Sequence, residues 1–300
     1  MSLSEQPWTL LRLLNWTTNF LKEKKATSPR LDAEVLLAYV LNCERIALYT
    51  RFEEVPSEEV KRRFRELIKR RADGEPVAYL VGYREFYSRN FSVSNDVLIP
   101  RPETEHLVVE TLEIAKGQFA REQLNILEVG VGSGAVVVTL AKELPQANFV
   151  AVDICPKALE VARKNSITHG VDQRVELVKS NLLESLPGDS RFQLIVSNPP
   201  YLAMDEFEGL ESTVKDYEPI KALIGGDCGT ELIETLIGQA KRHLYPGGYL
   251  LLEVSPFICG KVEKLLQAEP NYDSVIVKKD LAQLERNVLA RYTPVSSSLS

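Results

Sequence analysis

The chain has 300 residues, 44% of them hydrophobic and 26% charged, with a formal net charge of −6. That is an ordinary soluble composition for one large or two ordinary domains, and such a chain buries on the order of three-quarters of its unfolded surface. The acidic balance argues against broad nucleic-acid binding, no apolar run approaches the roughly 20 residues of a membrane helix, and no secretory signal is expected ahead of Arg12.

Residues 6 to about 72 read as helical. Pro7-Trp-Thr-Leu-Leu-Arg-Leu-Leu carries apolar residues at helical spacing, and Ser28-Pro29 opens a second helix through Leu41. Pro56-Ser57 opens a third, from Glu58 to Arg71, with Phe64, Leu67 and Ile68 on one face. Its run Lys61-Arg-Arg-Phe-Arg-Glu-Leu-Ile-Lys-Arg-Arg71 reads first as a solvated charged face, and second as a docking surface for an acidic or RNA-associated partner. Gly74 to Phe86 breaks the pattern, and Phe91 to Leu98 alternates. The two pieces are expected to pair as a hairpin. Pro100-Arg-Pro-Glu-Thr-Glu105 then leads into a helix from His106 to about Lys116.

From residue 124 to about 293, strands and helices alternate, which predicts an α/β sheet. Strands are expected at Asn125–Val129, Phe149–Val152, Val175–Val178, Phe192–Ser197, Tyr249–Val254, 273–278 and 287–292. Helices are expected at Ala135 to about Glu143, Pro156 to about Ser166, Glu231 to about Leu244 and 260–268, with Pro246-Gly-Gly as a turn. The tail Ser296–Ser300 reads as disordered.

Chemistry concentrates at two places. The first is Asn198-Pro199-Pro200-Tyr201, which stops the strand Phe192–Ser197. Neither proline has an N–H for a ladder, and ligands of open parallel sheets bind beyond the carboxyl ends of strands. The motif there offers an amide side chain, the Pro199 carbonyl and an aromatic ring. These suit methylation of a planar –NH2 group. Asn198 Oδ1 and Pro199 O would accept its two N–H groups, and Tyr201 would pack on the flat group. Standing alone, Asn-Pro-Pro is as readily an ordinary strand terminator.

The second place is Gly130-Val131-Gly132-Ser133-Gly134 between a strand and a helix, followed by Asp153 at the end of the next strand. Glycines there let a ligand approach the backbone at a helix N-terminus, and the carboxylate suits ribose hydroxyls. The spacing is GxGxG, not the GxGxxG of dinucleotide folds, and no hydride-transfer partner is evident. S-adenosylmethionine unites the loop, Asp153 and the amide-positioning motif. Cys43, Cys155, Cys228 and Cys259 form no CxxC pair, and His106, His169 and His243 are scattered. These suggest no metal site and fit a reducing cytoplasm.

Five segments in order carry a family resemblance: Gly74–Phe86, Val97-Leu-Ile-Pro-Arg-Pro-Glu-Thr-Glu105, Gly130–Gly134, Ser197–Tyr201 and Tyr217-Glu-Pro through Gly225-Gly226. Together they resemble the PrmC/HemK family, the protein-(glutamine-N5) methyltransferases of class 1 peptide chain release factors. The resemblance implies a class I (Rossmann-like) α/β methyltransferase domain over 99–295, a helical substrate-docking domain over 1–73 and a β-hairpin linker over 74–98. It implies methyl transfer from S-adenosylmethionine to the glutamine of a Gly-Gly-Gln motif. Glu128 and Gly130 to Gly134 would serve the cofactor, Asp153 its ribose, and Asn181 and Leu182 its adenine. Asn198, Pro199, Pro200 and Tyr201 would hold the glutamine, with Asn198 also beside the cofactor. Glu128 and Asn181 stand where the family commonly has Asp, Phe257-Ile258 where it has Gln, and Gln283 near an expected Gly.

The alternative is an adenine-N6 methyltransferase of DNA or RNA, since Asn-Pro-Pro-Tyr also occurs in that class. It would need base extrusion and a target-recognition region, and no such insertion is seen. A third reading is a non-catalytic cofactor-binding or ribosome-associated protein, against which the intact Asn198 and Tyr201 argue. No stable nucleic-acid or membrane partner is expected.

Overall fold

A computed structural model describes residues 7–120 and 122–295, so the tail from Ser296 lies outside the described residues. The chain forms two compact units. The first runs to Tyr83 and takes in Glu211–Tyr217; the second comprises Arg84–Leu210 and the chain from Glu218.

The first unit is helical: α1 (Leu10–Glu23), α2 (Pro29–Leu41), a 3-10 turn at Arg45–Thr50, α3 (Glu58–Ala72) and α4 (Val77–Val81). The starts follow from local chemistry. Thr9 Oγ1 accepts from Arg12 N at 3.3 Å, Ser57 Oγ accepts from Val60 N at 3.3 Å, and Pro29 stands at the head of α2. Leu10, Leu14 and Leu21 of α1 meet Leu36 and Leu37 of α2 and Phe64 and Ile68 of α3 in one core. Most basic charges of α3 are matched nearby: Lys61 pairs with Glu58, Arg62 with Glu59 and Glu66, and Arg70 with Glu75, while Arg71 bonds Asp32 at 2.8 Å inside the fold. That arrangement is the solvated charged face. The returning segment is fixed here by Tyr217, whose hydroxyl donates to Asp73 O at 3.1 Å.

The expected long hairpin over 74–98 is shorter. Val77–Val81 is helical, with Gly82 at φ +80° closing it, and only β1 (Tyr83–Phe86) and β2 (Arg89–Ser92) pair. Proline at 76 suits the start of a helical turn, and the apolar residues of 77–81 then pack on one side rather than alternating.

The second unit continues through α5 (Glu105–Gln118), β3 (Asn125–Val129), α6 (Ala135–Glu143), β4 (Asn148–Asp153), α7 (Pro156–Thr168), β5 (Val175–Lys179) and β6 (Phe192–Ser197). Short elements follow: β7 (Leu202–Ala203), α8 (Met204–Phe207), α9 (Ser212–Lys215, in the returning segment) and β8 (Ile224–Gly226). Then come α10 (Glu231–Ala240), β9 (Leu244–Glu253), α11 (Pro256–Ala268), β10 (Tyr272–Lys279) and β11 (Glu285–Tyr292). Seven strands form one sheet in the order β10-β11-β9-β6-β3-β4-β5. All neighbours are parallel except β11, which runs antiparallel to both of its partners.

The strand pattern explains the layers. Successive side chains of β3 alternate, with Ile126 facing one core and Leu127 and Val129 the other. Helices α5, α6 and α7 cover the first face, and α10 and α11 cover the second. Ile258, where the family resemblance expected Gln, is a core residue of α11, while Phe257 points to solvent. The Pro246-Gly-Gly turn is absorbed into β9 as a bulge between the pairs Phe192–Leu244 and Leu194–Tyr249. Strands β3 and β6 sit side by side where the order reverses, so their carboxyl ends open a crevice.

Candidate active site

The crevice holds a cavity of about 530 Å³, within the range of small-molecule sites. Its floor is the turn from β3 into α6. Gly130, Gly132 and Gly134 all have positive φ, at +79°, +51° and +80°. Side chains would strain that backbone. At Gly132 a Cβ would meet no atom of the described residues within 4 Å, so the loop presents open space to a ligand. Gly134 instead packs against Ala162, where an added Cβ would lie at 3.2 Å, and it does not line the cavity.

Two carboxyl groups hold this turn. Asp153, at the end of β4, accepts from Gly132 N and Cys155 N, each at 2.9 Å. Burial raises its pKa, and those backbone N–H groups oppose the rise. Glu128 of β3 accepts from Val137 N at 2.8 Å in the first turn of α6. Gly134 caps that helix without a side chain, so Glu128 supplies the missing acceptor from the strand. Burial pushes the Glu128 carboxyl well above the usual carboxylate range, and neighbouring Asp153 adds to it.

The opposite wall is the end of β6. Ser197 Oγ donates to Val129 O at 2.7 Å and ties the two strand ends together. Asn198 follows, and its Nδ2 donates to Thr104 Oγ1 at 3.1 Å. With Nδ2 engaged, Oδ1 is the end of the amide left for another partner. The same wall gathers a second pair. Glu218, buried, accepts from Arg101 Nη2 at 2.6 Å and from Ile99 N at 3.2 Å. The Ile-Pro-Arg-Pro and Tyr-Glu-Pro segments are therefore bonded to each other at the rim.

The cavity thus brings together most residues that the sequence singled out: Glu128, Gly130 to Ser133, Asp153, Asn181, Leu182, Asn198, Pro199 and Pro200. Asn181 Nδ2 donates to Glu184 Oε1 at 2.9 Å, and Leu182 has φ +48°, a left-handed conformation that non-glycine residues rarely hold. Tyr201 is not on the cavity wall. Its ring packs against the second core, and burial, with the Glu253 carboxyl near it, raises its pKa. Thr104 and Glu218 lie in segments quoted for the resemblance, but only the folded chain gives them these contacts. Glu253 carries no local sequence signal at all.

Comparison with known proteins bears on this arrangement. The PrmC N-terminal domain model matches residues 12–82, and the Methyltransferase small domain model matches residues 104–211. The release factor glutamine methyltransferase of Rhodopirellula baltica is 46% identical over 284 residues, 94% of this chain and 96% of the relative. This chain belongs to the release factor glutamine methyltransferase family. Another family member, from Koribacter versatilis, is 40% identical over 94% of this chain and 98% of its own length. Among solved structures, a methyltransferase from Pyrococcus furiosus aligns with a TM-score of 0.50 at 21% identity, covering 76% of this chain and 98% of its own. The catalytic domain of hMettl16 in complex with a MAT2A 3′UTR hairpin aligns at 0.56 and 15% identity, covering 77% and 83%. Those two likenesses are of fold: the second unit of this family member has the class I methyltransferase fold.

Proposed function

We propose that this protein transfers a methyl group from S-adenosylmethionine to the side-chain amide nitrogen of glutamine in the Gly-Gly-Gln motif of class 1 release factors. The observation that carries the reading is the anchored Asn198 amide. Its nitrogen is tied to Thr104, which leaves its oxygen for a substrate, and Asn198 and Pro199 both line the cavity. A primary amide has two N–H donors, and the Asn198 side-chain oxygen and the Pro199 carbonyl are two acceptors. Together they position the nitrogen and favour the pyramidal geometry it needs as a nucleophile, since its lone pair is otherwise delocalised.

The cofactor reading rests on the glycine turn, whose backbone is open at Gly132, and on Asp153 beside it. Gly130 to Ser133 would face the methionine part, Asp153 the ribose hydroxyls, and Asn181 and Leu182 the adenine. S-adenosylmethionine, when bound, supplies an electrophilic methyl on a sulfonium. The chain's own groups fix the glutamine, keep water out and align the amide nitrogen. No group of three or more His, Cys, Asp or Glu suited to a metal ion occurs among the described residues.

The helical first unit is assigned to docking of the protein substrate, and Tyr201 to support of the Pro199–Pro200 segment from behind. No helix among the described residues is long and apolar enough to cross a membrane. The four free cysteines accord with a reducing cytoplasm.

The test is Asn198→Ala, assayed for methyl transfer to a purified release factor and for cofactor binding by calorimetry. Turnover should fall by about 100-fold or more, as for other lost positioning donors and acceptors, while cofactor affinity changes little. Full turnover in the variant would overturn the mechanism.

A further inference from the structure

An asparagine amide can rotate to present either end, so something has to hold Asn198 with its oxygen toward the cavity. Its Nδ2 bonds Thr104 Oγ1 at 3.1 Å. A hydroxyl that accepts one hydrogen bond still has a proton to place. Thr104, itself buried, lies near the carboxyl of Glu253, which follows Leu252, the β9 partner of Ser197, and so stands at the same strand end as Asn198. Glu253 is the last residue of β9 and only 2% exposed. Among the described residues its Oε2 is buried without a hydrogen-bond partner, and so is Oδ1 of Asn287, the residue directly opposite on β11. Two acceptors thus stand unpaired on neighbouring strands behind the substrate amide's anchor. Most buried polar side-chain atoms have a partner, so two unpaired acceptors on adjacent strands call for an explanation.

We propose that Glu253, acting through Thr104, is a positioning residue that holds the Asn198 amide oxygen toward the substrate glutamine. The proposal rests on the functional reading above. Ionised, Glu253 accepts the Thr104 proton. That charge-assisted bond polarises the Thr104 oxygen, which then accepts more strongly from Asn198 Nδ2. Asn198 Oδ1 is thereby kept in place and made a better acceptor for the substrate N–H. Protonated, Glu253 becomes a donor. Thr104 and the orphaned Asn287 Oδ1 are acceptors for it, and the hold on Asn198 loosens.

The groups around Glu253 balance closely. Burial and Glu103 favour the neutral form, and Arg286 and Arg101 favour the charged one. Arg286 is itself paired with Asp280 at 3.2 Å, which tempers its pull. Tyr201 also lies within the field of this carboxyl. The outcome is a carboxyl pushed up to about 7, so its ionisation falls near neutral pH.

The experiment compares full-length wild type with Glu253→Gln, Thr104→Val and Thr104→Ser. Three quantities are read: kcat on a release factor against pH, cofactor affinity by calorimetry, and the NMR resonances of the Asn198 side-chain amide against pH. Wild-type kcat should rise with pH through about 7, and the Asn198 resonances should shift over the same interval. Glu253→Gln, which keeps the shape and removes the charge, should lower kcat about 10- to 100-fold and flatten both profiles. Thr104→Val should match it and Thr104→Ser should recover, with cofactor affinity and KM for the release factor unchanged. A Glu253→Gln enzyme that keeps the wild-type profile, or an Asn198 amide that titrates alike in both proteins, would overturn the proposal. If wild type leaves the release factor unmethylated, the functional reading fails, and the Asn198 resonances still decide whether Glu253 governs that amide.

Discussion

Asp153 does two jobs with one side chain. One oxygen holds Gly132 N and so shapes the glycine turn, and the carboxylate as a whole lines the cavity where ribose hydroxyls are proposed to sit. Asp153→Ala should therefore weaken S-adenosylmethionine binding by about 10- to 100-fold, the range for a lost charge-assisted hydrogen bond. Calorimetry on the purified variant measures it. Asp153→Asn keeps one acceptor for Gly132 N and should fall between the two, so the pair separates shaping of the loop from binding by charge. Unaltered affinity in Asp153→Ala would remove the ribose assignment. At this scale the sequence was readable where the signal is local. The glycines, Asp153 and Asn198 are each marked by their neighbours in the chain. Thr104 and Glu253 are not, because Asn198 meets Thr104 from 94 positions away and nothing beside Glu253 announces a buried carboxyl. Gln283, near an expected glycine, does adopt φ +62°. The backbone there has the glycine-like conformation without the residue that takes it free of strain.

The strand ends and the segment 219–231 pack together on the side of the cavity proposed for the substrate. Short parallel strands β7 and β8 pair at Leu202 and Ile224, and Leu202 N donates to Leu223 O at 2.9 Å. The strand β8 passes so close to the Asn-Pro-Pro-Tyr turn that glycine is required. A Cβ at Gly225 would press into the Pro200 carbonyl oxygen and lie 2.7 Å from Gly229 O. Gly225→Ala should then displace Pro199 and Pro200, cutting kcat about 10-fold or more with little change in cofactor affinity. A kcat to KM split measured on the release factor decides it, and an unaffected kcat would mean the turn moves without consequence. None of these short elements was expected from the sequence. Strands of two or three residues have no periodicity to read, and their pairing is set by tertiary contact. The long elements were readable. Helix α6 begins at Ala135 and ends at Glu143, and β6 spans Phe192–Ser197, as their patterns imply. The bulge in β9 was not, since Pro246-Gly-Gly looks like a turn until a neighbouring strand is there to accommodate it.

At the scale of the whole molecule, the chain carries a net charge of −6, yet α3 exposes Arg63 and Arg65 to solvent. Their neighbours Lys61, Arg62 and Arg70 are matched by acidic side chains, which leaves these two and Lys69 as the helix's exposed basic charges outside the ion pairs. If the helical unit docks the protein substrate, Arg63→Glu with Arg65→Glu should raise KM for the whole release factor several-fold. KM for a short Gly-Gly-Gln peptide and cofactor affinity should stay the same. The effect should shrink at high salt, because exposed charges are screened beyond about 10 Å at 0.1 M ionic strength. Equal KM values in the two enzymes would assign α3 to solvation alone. The order of segments along the chain made the architecture readable: helices first, then alternating strands and helices. The grouping of Glu211–Tyr217 with the first unit was not readable, because it depends on Tyr217 reaching Asp73 from 144 positions away.

The measurement that tests the central claim most directly is methyl transfer from labelled S-adenosylmethionine to a purified class 1 release factor. The comparisons are the same factor with its Gly-Gly-Gln glutamine replaced by alanine, and duplex DNA. The account predicts a mass gain of one methyl on the intact factor, located at that glutamine, and none on the other two. Label in DNA, or equal label on the glutamine-less factor, would contradict it.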